Sequence, residues 1–316
     1  MSQTSEDSRW VFNATPESVG QHATIGAVKK FHSIAHLSDL HLTAVSEGRR
    51  KEDRARHMNA NLARLLHHEP VQNADLILIT GDISDRGELA AWNVLWSAIK
   101  DAGLERRKIL VIPGNHDAAC LGLRRSRPKV EDLAIVRAGL EKGRQRRRLP
   151  YLRTFAGGDV GVFAVDSVNA GNFNLIDNAV GRIGFNQLAE LGGLLRDNMT
   201  VPCKLIALHH SPNIPNSATS KRRGEKATPF WQRAALQLER VDRVGLRLLA
   251  RTFEVKAILH GHTHDNLDRR VSGVRIIGTR DATVPQNSGL LSYKMYRYYP
   301  DSKILKASIN RVRGIS

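Results

Sequence analysis

Residues 76–88, Leu76-Ile77-Leu78-Ile79-Thr80-Gly81-Asp82-Ile83-Ser84-Asp85-Arg86-Gly87-Glu88, pass from four aliphatic side chains to a glycine and a carboxylate. The first half reads as a strand buried on both faces, because it lacks the polar alternation of a half-exposed strand. The second half is turn chemistry that leaves Asp82 at the strand's carboxyl end. The same passage recurs on either side. Residues 33–37 lead to Asp39 and His41, 109–112 to Asn115-His116-Asp117, 205–208 to His209-His210, and 257–259 to His260-Gly261-His262-Thr263-His264. A further aliphatic run covers 160–165.

Amphipathic segments at 53–69, 88–102, 185–197 and 229–251 separate these runs, the first stopped by Pro70 and the second by Gly103. Short aliphatic runs alternating with helical segments predict an α/β layered fold. Residues 275–279, 290–299 and 304–309 alternate as antiparallel strands do. Residues 1–30 have neither periodicity and read as a flexible N-terminal tail, leaving 31–316 as a single domain.

At 316 residues with 41% hydrophobic and 25% charged side chains, the chain has an ordinary globular composition. Its balance of 48 Lys+Arg against 31 Asp+Glu, a formal charge of +17, is unusual. Such an excess concentrates anions and favours a phosphate-bearing substrate, and it also leaves nucleic acid as a candidate partner. Two basic insertions, near 122–153 and 211–251, carry much of it. Residues 124–153 hold eleven Lys+Arg against three Asp+Glu, and 221–251 hold nine against three. Each follows a polar cluster directly, a placement suited to framing a substrate mouth. The two cysteines, Cys120 and Cys203, make no disulfide framework or zinc ribbon. No secretory signal or membrane-length apolar run is present, so a cytoplasmic protein is the simplest expectation.

Ligand sites in layered α/β sheets form beyond the carboxyl ends of strands, which allows the five polar clusters to converge. Eight of the thirteen histidines (His36, His41, His116, His209, His210, His260, His262 and His264) lie in or beside them. Carboxylate oxygen, imidazole nitrogen and an amide oxygen together suit Mn²⁺, Fe²⁺ or Zn²⁺, whereas Ca²⁺ and Mg²⁺ favour oxygen alone. A lone Asp-x-His or Gly-Asp is an ordinary loop. The five in this order are a pattern.

The order Asp39-x-His41, Gly81-Asp82-x-x-Asp85, Gly114-Asn115-His116-Asp117, His209-His210-x-Pro212, Gly261-His262-x-His264 resembles the calcineurin-like metallophosphoesterase superfamily over residues 34–285. The resemblance implies a four-layer sandwich, two packed mixed β-sheets flanked by helices, with two metal ions (Mn²⁺, Fe²⁺/Fe³⁺ or Zn²⁺) at one edge. It assigns Asp39, His41 and His264 to the first metal, Asn115, His209 and His262 to the second, and Asp82 as the bridge. His209 is preferred to His210 because it comes first after its strand; His210 becomes a neighbour that faces substrate. His116 matches the residue that contacts the phosphate and donates a proton to the leaving group, with Asp117 orienting it.

Within the superfamily, Leu37-Ser38-Asp39-Leu40-His41-Leu42 and His209-His210-Ser211-Pro212 are similar to the bacterial cyclic-nucleotide phosphodiesterase branch. Gly-Asn-His-Asp differs from the Gly-Asn-His-Glu of the protein serine/threonine phosphatases, and His116 stands where a UDP-diacylglucosamine pyrophosphatase carries Arg. The implied activity is hydrolysis of a small nucleotide-type phosphodiester by a hydroxide held between two metals. A nuclease acting on a DNA or RNA backbone, a phosphomonoesterase and an inactive scaffold are the alternatives.

His67 and His68 close a helix, and His22, His32 and His57 fall outside every motif. Trp92 and Trp96, four apart on a helix, read as core residues. His36 and His260 read as core or as neighbours of the ligands, and Asp85 and Arg86 as the site's edge.

Overall fold

The aliphatic runs become the central strands of two sheets. The structure is a computed structural model that describes residues 30–43, 49–118, 130–168, 179–222 and 228–315. The expected N-terminal tail lies outside the described residues, apart from Lys30. The strands are β1 (His32–Leu37), β2 (Leu76–Thr80), β3 (Ile109–Ile112), β4 (Tyr151–Phe155), β5 (Val160–Ala164), β6 (Cys203–Ala207), β7 (Ala257–His260), β8 (Leu267–Val271), β9 (Val274–Gly278), β10 (Leu290–Tyr299) and β11 (Ile304–Arg313). One sheet runs β11-β10-β1-β2-β3 and the other β4-β5-β6-β7-β9-β8. The strands that carry the motifs are parallel to their neighbours, β1-β2-β3 in one sheet and β6-β7 in the other. The remaining pairings include antiparallel ones, so both sheets are mixed.

Strand alternation explains the layering. Ile34, Leu76, Leu78, Leu110 and Ile112 point one way and meet Val162, Leu205, Ala207, Ala257 and Leu259 of the second sheet. Their chain neighbours Leu37, Ile77, Ile79 and Val111 point outward, where Leu62, Leu65, Trp92, Leu95 and Trp96 cover them from helices Arg49–Leu66 and Leu89–Asp101. Across the molecule Ile206, Leu208 and Ile258 meet Leu191, Leu195, Leu246 and Ala250 of helices Phe185–Asp197 and Arg240–Thr252. Helix, sheet, sheet, helix is the four-layer sandwich that the motifs implied. It also explains why the motif strands are aliphatic throughout: both of their faces are covered.

Two readings change. The segment expected as one helix over 229–251 is two, Phe230–Ala235 and Arg240–Thr252. Between them the chain runs extended, with Leu238 N–H donating to Ser211 O (3.0 Å) and Glu239 N–H to Gly181 O (2.9 Å). Those tertiary bonds outweigh helical propensity, and no glycine or proline announces the break. The first basic segment is built into the layers to a large extent. Its helix Val130–Lys142 packs on the Leu89–Asp101 helix, where Trp96 Nε1–H donates to Gly139 O (2.8 Å), and its last residues form edge strand β4. Residues 119–129 and 223–227, parts of the two basic segments, lie outside the described residues.

Leu78 is fully enclosed between the sheets. Truncation to alanine should cost about 2–5 kcal/mol in urea unfolding. Met199→Ala, at a position 62% exposed, should stay within about 0.5 kcal/mol of the parent.

Candidate metal centre

The five polar clusters leave their strands at one end of the sandwich and are stitched together there by main-chain bonds. Asp39 N–H donates to Gly81 O (3.0 Å), His41 N–H to Asp82 O (2.9 Å) and Gly261 N–H to His209 O (3.0 Å). Two further bonds join the sheets. The His262 N–H of the second sheet donates to the Asp39 carboxylate (3.0 Å to Oδ2), and His209 Nδ1–H donates to Thr80 O of the first (2.7 Å). The glycine of each motif is where a neighbouring cluster presses in. A side chain at Gly114 would meet the Asp82 carboxylate, and one at Gly261 would meet Ser38 and Asp39. Gly81 needs its glycine twice over, for a φ of +89° and for the His209 ring packed on it.

The loops bend sharply to aim their side chains. Asp39, His41, Asp82, His262 and His264 all have left-handed backbone, with φ of 52°, 45°, 50°, 65° and 51°. Asp and His tolerate this region better than most residues, yet each such position costs roughly 1–3 kcal/mol. Backbone strain concentrated on these residues marks a site that the rest of the fold holds in place.

Among the described residues three groups of ligand atoms result, each with all members within 4.8 Å of one another: Asp39, His41 and His264; His41, Asp82 and His116; Asp82, His209 and His262. Asp82 thus stands in two groups with His41 and His209 on either side. Its Oδ2 lies 3.3 Å from His209 Nε2, 3.9 Å from His116 Nε2 and 4.0 Å from His41 Nε2. That oxygen is buried and takes no hydrogen bond of ordinary geometry. A buried carboxylate oxygen ringed by imidazoles and lacking a donor is what a cation satisfies.

Tautomers prepare the nitrogens. The carbonyl of Thr80 can only accept, so His209 carries a proton on Nδ1, and Nε2 is the atom that faces Asp82 and, at 3.0 Å, Asn115 Oδ1. By the same reasoning His262 donates from Nε2 to Ala179 O (3.1 Å) and keeps Nδ1 free. His264 Nε2 lies 3.3 Å from Asp39 Oδ1 and 3.5 Å from His41 Nε2. The residues present therefore fit two divalent cations sharing Asp82. Mixed oxygen and nitrogen donors without thiolate match the borderline transition metals.

Electrostatics follow the carboxylates. Burial opposes a charge on His209, but Asp82 and Asp39 raise its pKa to about 9. His264 rises to about 9 likewise, burial being overcome by its bond to Asp39. His262 drops to about 3, through burial first and then the charge of His209. Burial also opposes the charge on Asp39 and Asp82, yet the surrounding histidines hold both below the ordinary carboxylate range.

The nine residues anticipated at the site, with His210, do not all sit as expected. Asp39, His41, Asp82, Asn115, His209, His262 and His264 come together. His116 lies over Asp82, its Nδ1–H donating to Asp85 O (3.0 Å), its Nε2 free and its side chain 24% exposed. Asp117 does not orient it. The Asp117 carboxylate is fully buried and accepts the main-chain N–H groups of Ile83 (3.2 Å), Ser84 (2.8 Å) and Gly114 (2.8 Å), so it pins the Asp82 and Asn115 loops to each other. Burial, then Asp82, raise its pKa to about 7, with the three N–H groups pulling the other way.

His210 does not face an open surface. It is fully buried, with Nδ1 on Ser167 Oγ (2.9 Å) and its ring tilted by 53° against that of His262, centroids 4.5 Å apart. Residues that are not themselves candidate ligands support the cluster, His36 among them as its place beside a motif suggested. Ser38 Oγ–H donates to Thr80 O (2.9 Å), the carbonyl that fixes His209, and Thr80 Oγ1 links Ser38 to His36 (3.0 and 2.7 Å). His36 in turn meets Tyr296 OH at 2.9 Å. Asp85, whose spacing from Asp82 was visible in the motif, lies 3.6 Å from His41 Nδ1.

The chain is similar to known proteins in sequence and in fold. The family profile for calcineurin-like phosphoesterases matches residues 32–266. A 3',5'-cyclic-nucleotide phosphodiesterase of Nostoc sp. is 26% identical over 283 residues, 87% of each chain. A probable cyclic nucleotide phosphodiesterase of Vesicomyosocius okutanii is 22% identical over 274 residues, 86% of this chain and 96% of its own. Among solved structures, a dimetal phosphatase from Danio rerio superposes with a TM-score of 0.55 at 10% identity, over 91% of this chain and all of that one. That likeness is one of fold.

Replacing Asp117 with alanine leaves three buried N–H groups without an acceptor, at about 1–3 kcal/mol each. The melting temperature and the metal content by elemental analysis should therefore both fall. A variant that keeps both and loses only rate would return Asp117 to the role of orienting His116.

Proposed function

The chain belongs to the calcineurin-like phosphoesterase family and is a binuclear metallophosphoesterase, and from that premise we propose that it is a phosphodiesterase of nucleotide-sized diesters such as a cyclic nucleotide. The observation that carries the reading is the pair of donor groups sharing Asp82 with a partly exposed His116 above them. The names of relatives 22% and 26% identical over most of both chains support the substrate class. In this reading Asp39, His41 and His264 hold one cation, Asn115, His209 and His262 the other, and Asp82 both.

Two bound cations supply Lewis-acid activation of water and neutralise developing charge on the phosphoryl oxygens. The protein's own residues do the rest. Thr80 and Ala179 fix the tautomers of His209 and His262, so no ring must turn before a cation binds. His116, held through Nδ1 by Asp85 O, keeps Nε2 directed over Asp82, where it can hold a proton for the departing alkoxide. Mn²⁺, iron and Zn²⁺ suit the donor set. No described helix is long and apolar enough to cross a membrane; a cytoplasmic site of action fits the buried free thiol of Cys203.

Purified protein loaded with Mn²⁺ should hydrolyse 3',5'-cyclic nucleotides and bis(4-nitrophenyl) phosphate faster than 4-nitrophenyl phosphate. Cutting of a labelled oligonucleotide with no turnover of small diesters would overturn the reading in favour of a nuclease. His209→Ala and Asn115→Ala should lower metal content and rate together. His116→Ala should keep both metals and lose about 10²–10⁴-fold in kcat; loss of metal in that variant would contradict its role as proton donor.

A further inference from the structure

The loop that follows His209 and His210 borders a half-open cavity of about 400 Å³. That is the size of a small-molecule pocket. Arg233, Arg240 and Arg243 line it, with Glu239, Asn213 and Phe230. Its wall begins one residue from the centre: Val180 lines the cavity and is bonded to Ala179, whose carbonyl lies 3.1 Å from His262 Nε2. On the same side Arg247 donates to Pro212 O (3.3 Å), in the loop that follows His209-His210-Ser211.

Positive charge is in excess in this cavity, three arginines against the one carboxylate of Glu239. Among the described residues, Arg233, Arg240, Arg243 and Arg247 have no carboxylate within 4.0 Å, because the two nearest in sequence are engaged elsewhere. Asp242 accepts the N–H groups of Ile183 (2.6 Å) and Gly184 (3.2 Å), and Glu239 pairs with Arg182 (3.8 Å). Arg243 gives one N–H to Gln237 Oε1 (2.8 Å), while its Nε is buried without a partner. Burial first, then Arg247, Arg233 and Arg240, lower its pKa. Arginines brought together in excess of carboxylates repel one another, and a buried guanidinium donor lacking an acceptor is costly. A bound anion removes both penalties, and guanidinium forks match phosphate.

We propose that this cavity is a second anion subsite that holds a phosphate of the substrate other than the one hydrolysed, so that diesters carrying two phosphates bind more tightly than those carrying one. The proposal rests on the reading of the metal centre as a diesterase of nucleotide-sized substrates and narrows that substrate class. Arg233 and Arg240 grip the second phosphate from the cavity rim and Arg243 from within. Phe230, already under the Arg233 guanidinium at 5.4 Å from its ring centroid, offers a face to a base.

The test compares the 5'-phosphorylated dinucleotide pApA with ApA, using bis(4-nitrophenyl) phosphate as a diester too small to reach the cavity. In the parent enzyme the KM for pApA should lie at least about tenfold below that for ApA. Arg233→Met and Arg240→Met, both at positions open to solvent or partly so, should each erase most of that difference. ApA, bis(4-nitrophenyl) phosphate and metal content should stay within about twofold. Equal KM values for pApA and ApA in the parent, or variants that slow all three substrates alike, would overturn the subsite. Calorimetric titration of the metal-loaded protein with adenosine 5'-monophosphate separates this from failure of the diesterase reading. Two sites per chain in the parent and one in an Arg233→Met/Arg240→Met double variant support the subsite even if no diester is turned over. Unchanged stoichiometry refutes it.

Discussion

Everything at the functional end of this molecule depends on holding two carboxylates, Asp39 and Asp82, out of water. A buried carboxylate persists as an anion only among N–H donors, imidazoles and cations, since its desolvation is otherwise prohibitive. Asp39 takes the His262 N–H and Asp82 Oδ1 takes the His116 N–H (2.9 Å). Those bonds require the loops of different strands to approach closely, which explains the motif glycines, and to turn abruptly, which explains the left-handed residues. The strain is local. The aliphatic layers behind the strand ends supply the rigidity that sustains it.

The same bonds couple the two sheets. One of them crosses from the second sheet to Asp39, another from His209 to the main chain of β2, and a buried line through Ser38, Thr80 and His36 to Tyr296 carries the connection back into the inter-sheet core. Cation binding and packing between the sheets are therefore linked in free energy, because a cation that fixes the donors also fixes the loops that close the sandwich at that end. Asp117 belongs to this framework. Its three main-chain acceptances hold the Gly81-Asp82 and Gly114-Asn115 turns in mutual register.

The basic character of the chain also divides on inspection of the structure. Much of the first basic segment serves the layers, through the Val130–Lys142 helix against Trp92 and Trp96 and through β4 at a sheet edge. In the second, the break between the Phe230–Ala235 and Arg240–Thr252 helices brings Arg233 to the same cavity as Arg240 and Arg243. An unbroken helix would have spread those side chains along its length at 1.5 Å per residue. Tertiary bonds to Ser211 and Gly181 produced the cavity instead.

By itself the sequence determined the layered α/β class, the strands that matter and the polar clusters at their ends, since aliphatic runs ending in polar clusters are a one-dimensional signal; the resemblance of those motifs to a known family singled out Asp39, His41, Asp82, Asn115, His262 and His264 as candidate donors. The choice of His209 over His210 was open at that level. Two adjacent histidines differ in sequence by nothing but position, while in space one faces Asp82 and the other Ser167. Only the tertiary structure decided that Asp117 serves the main chain rather than His116, that His210 is enclosed, that 229–251 breaks, and that three arginines share a cavity. Each of these depends on hydrogen-bond partners or charges distant along the chain, and neither periodicity nor motif spacing carries information about them.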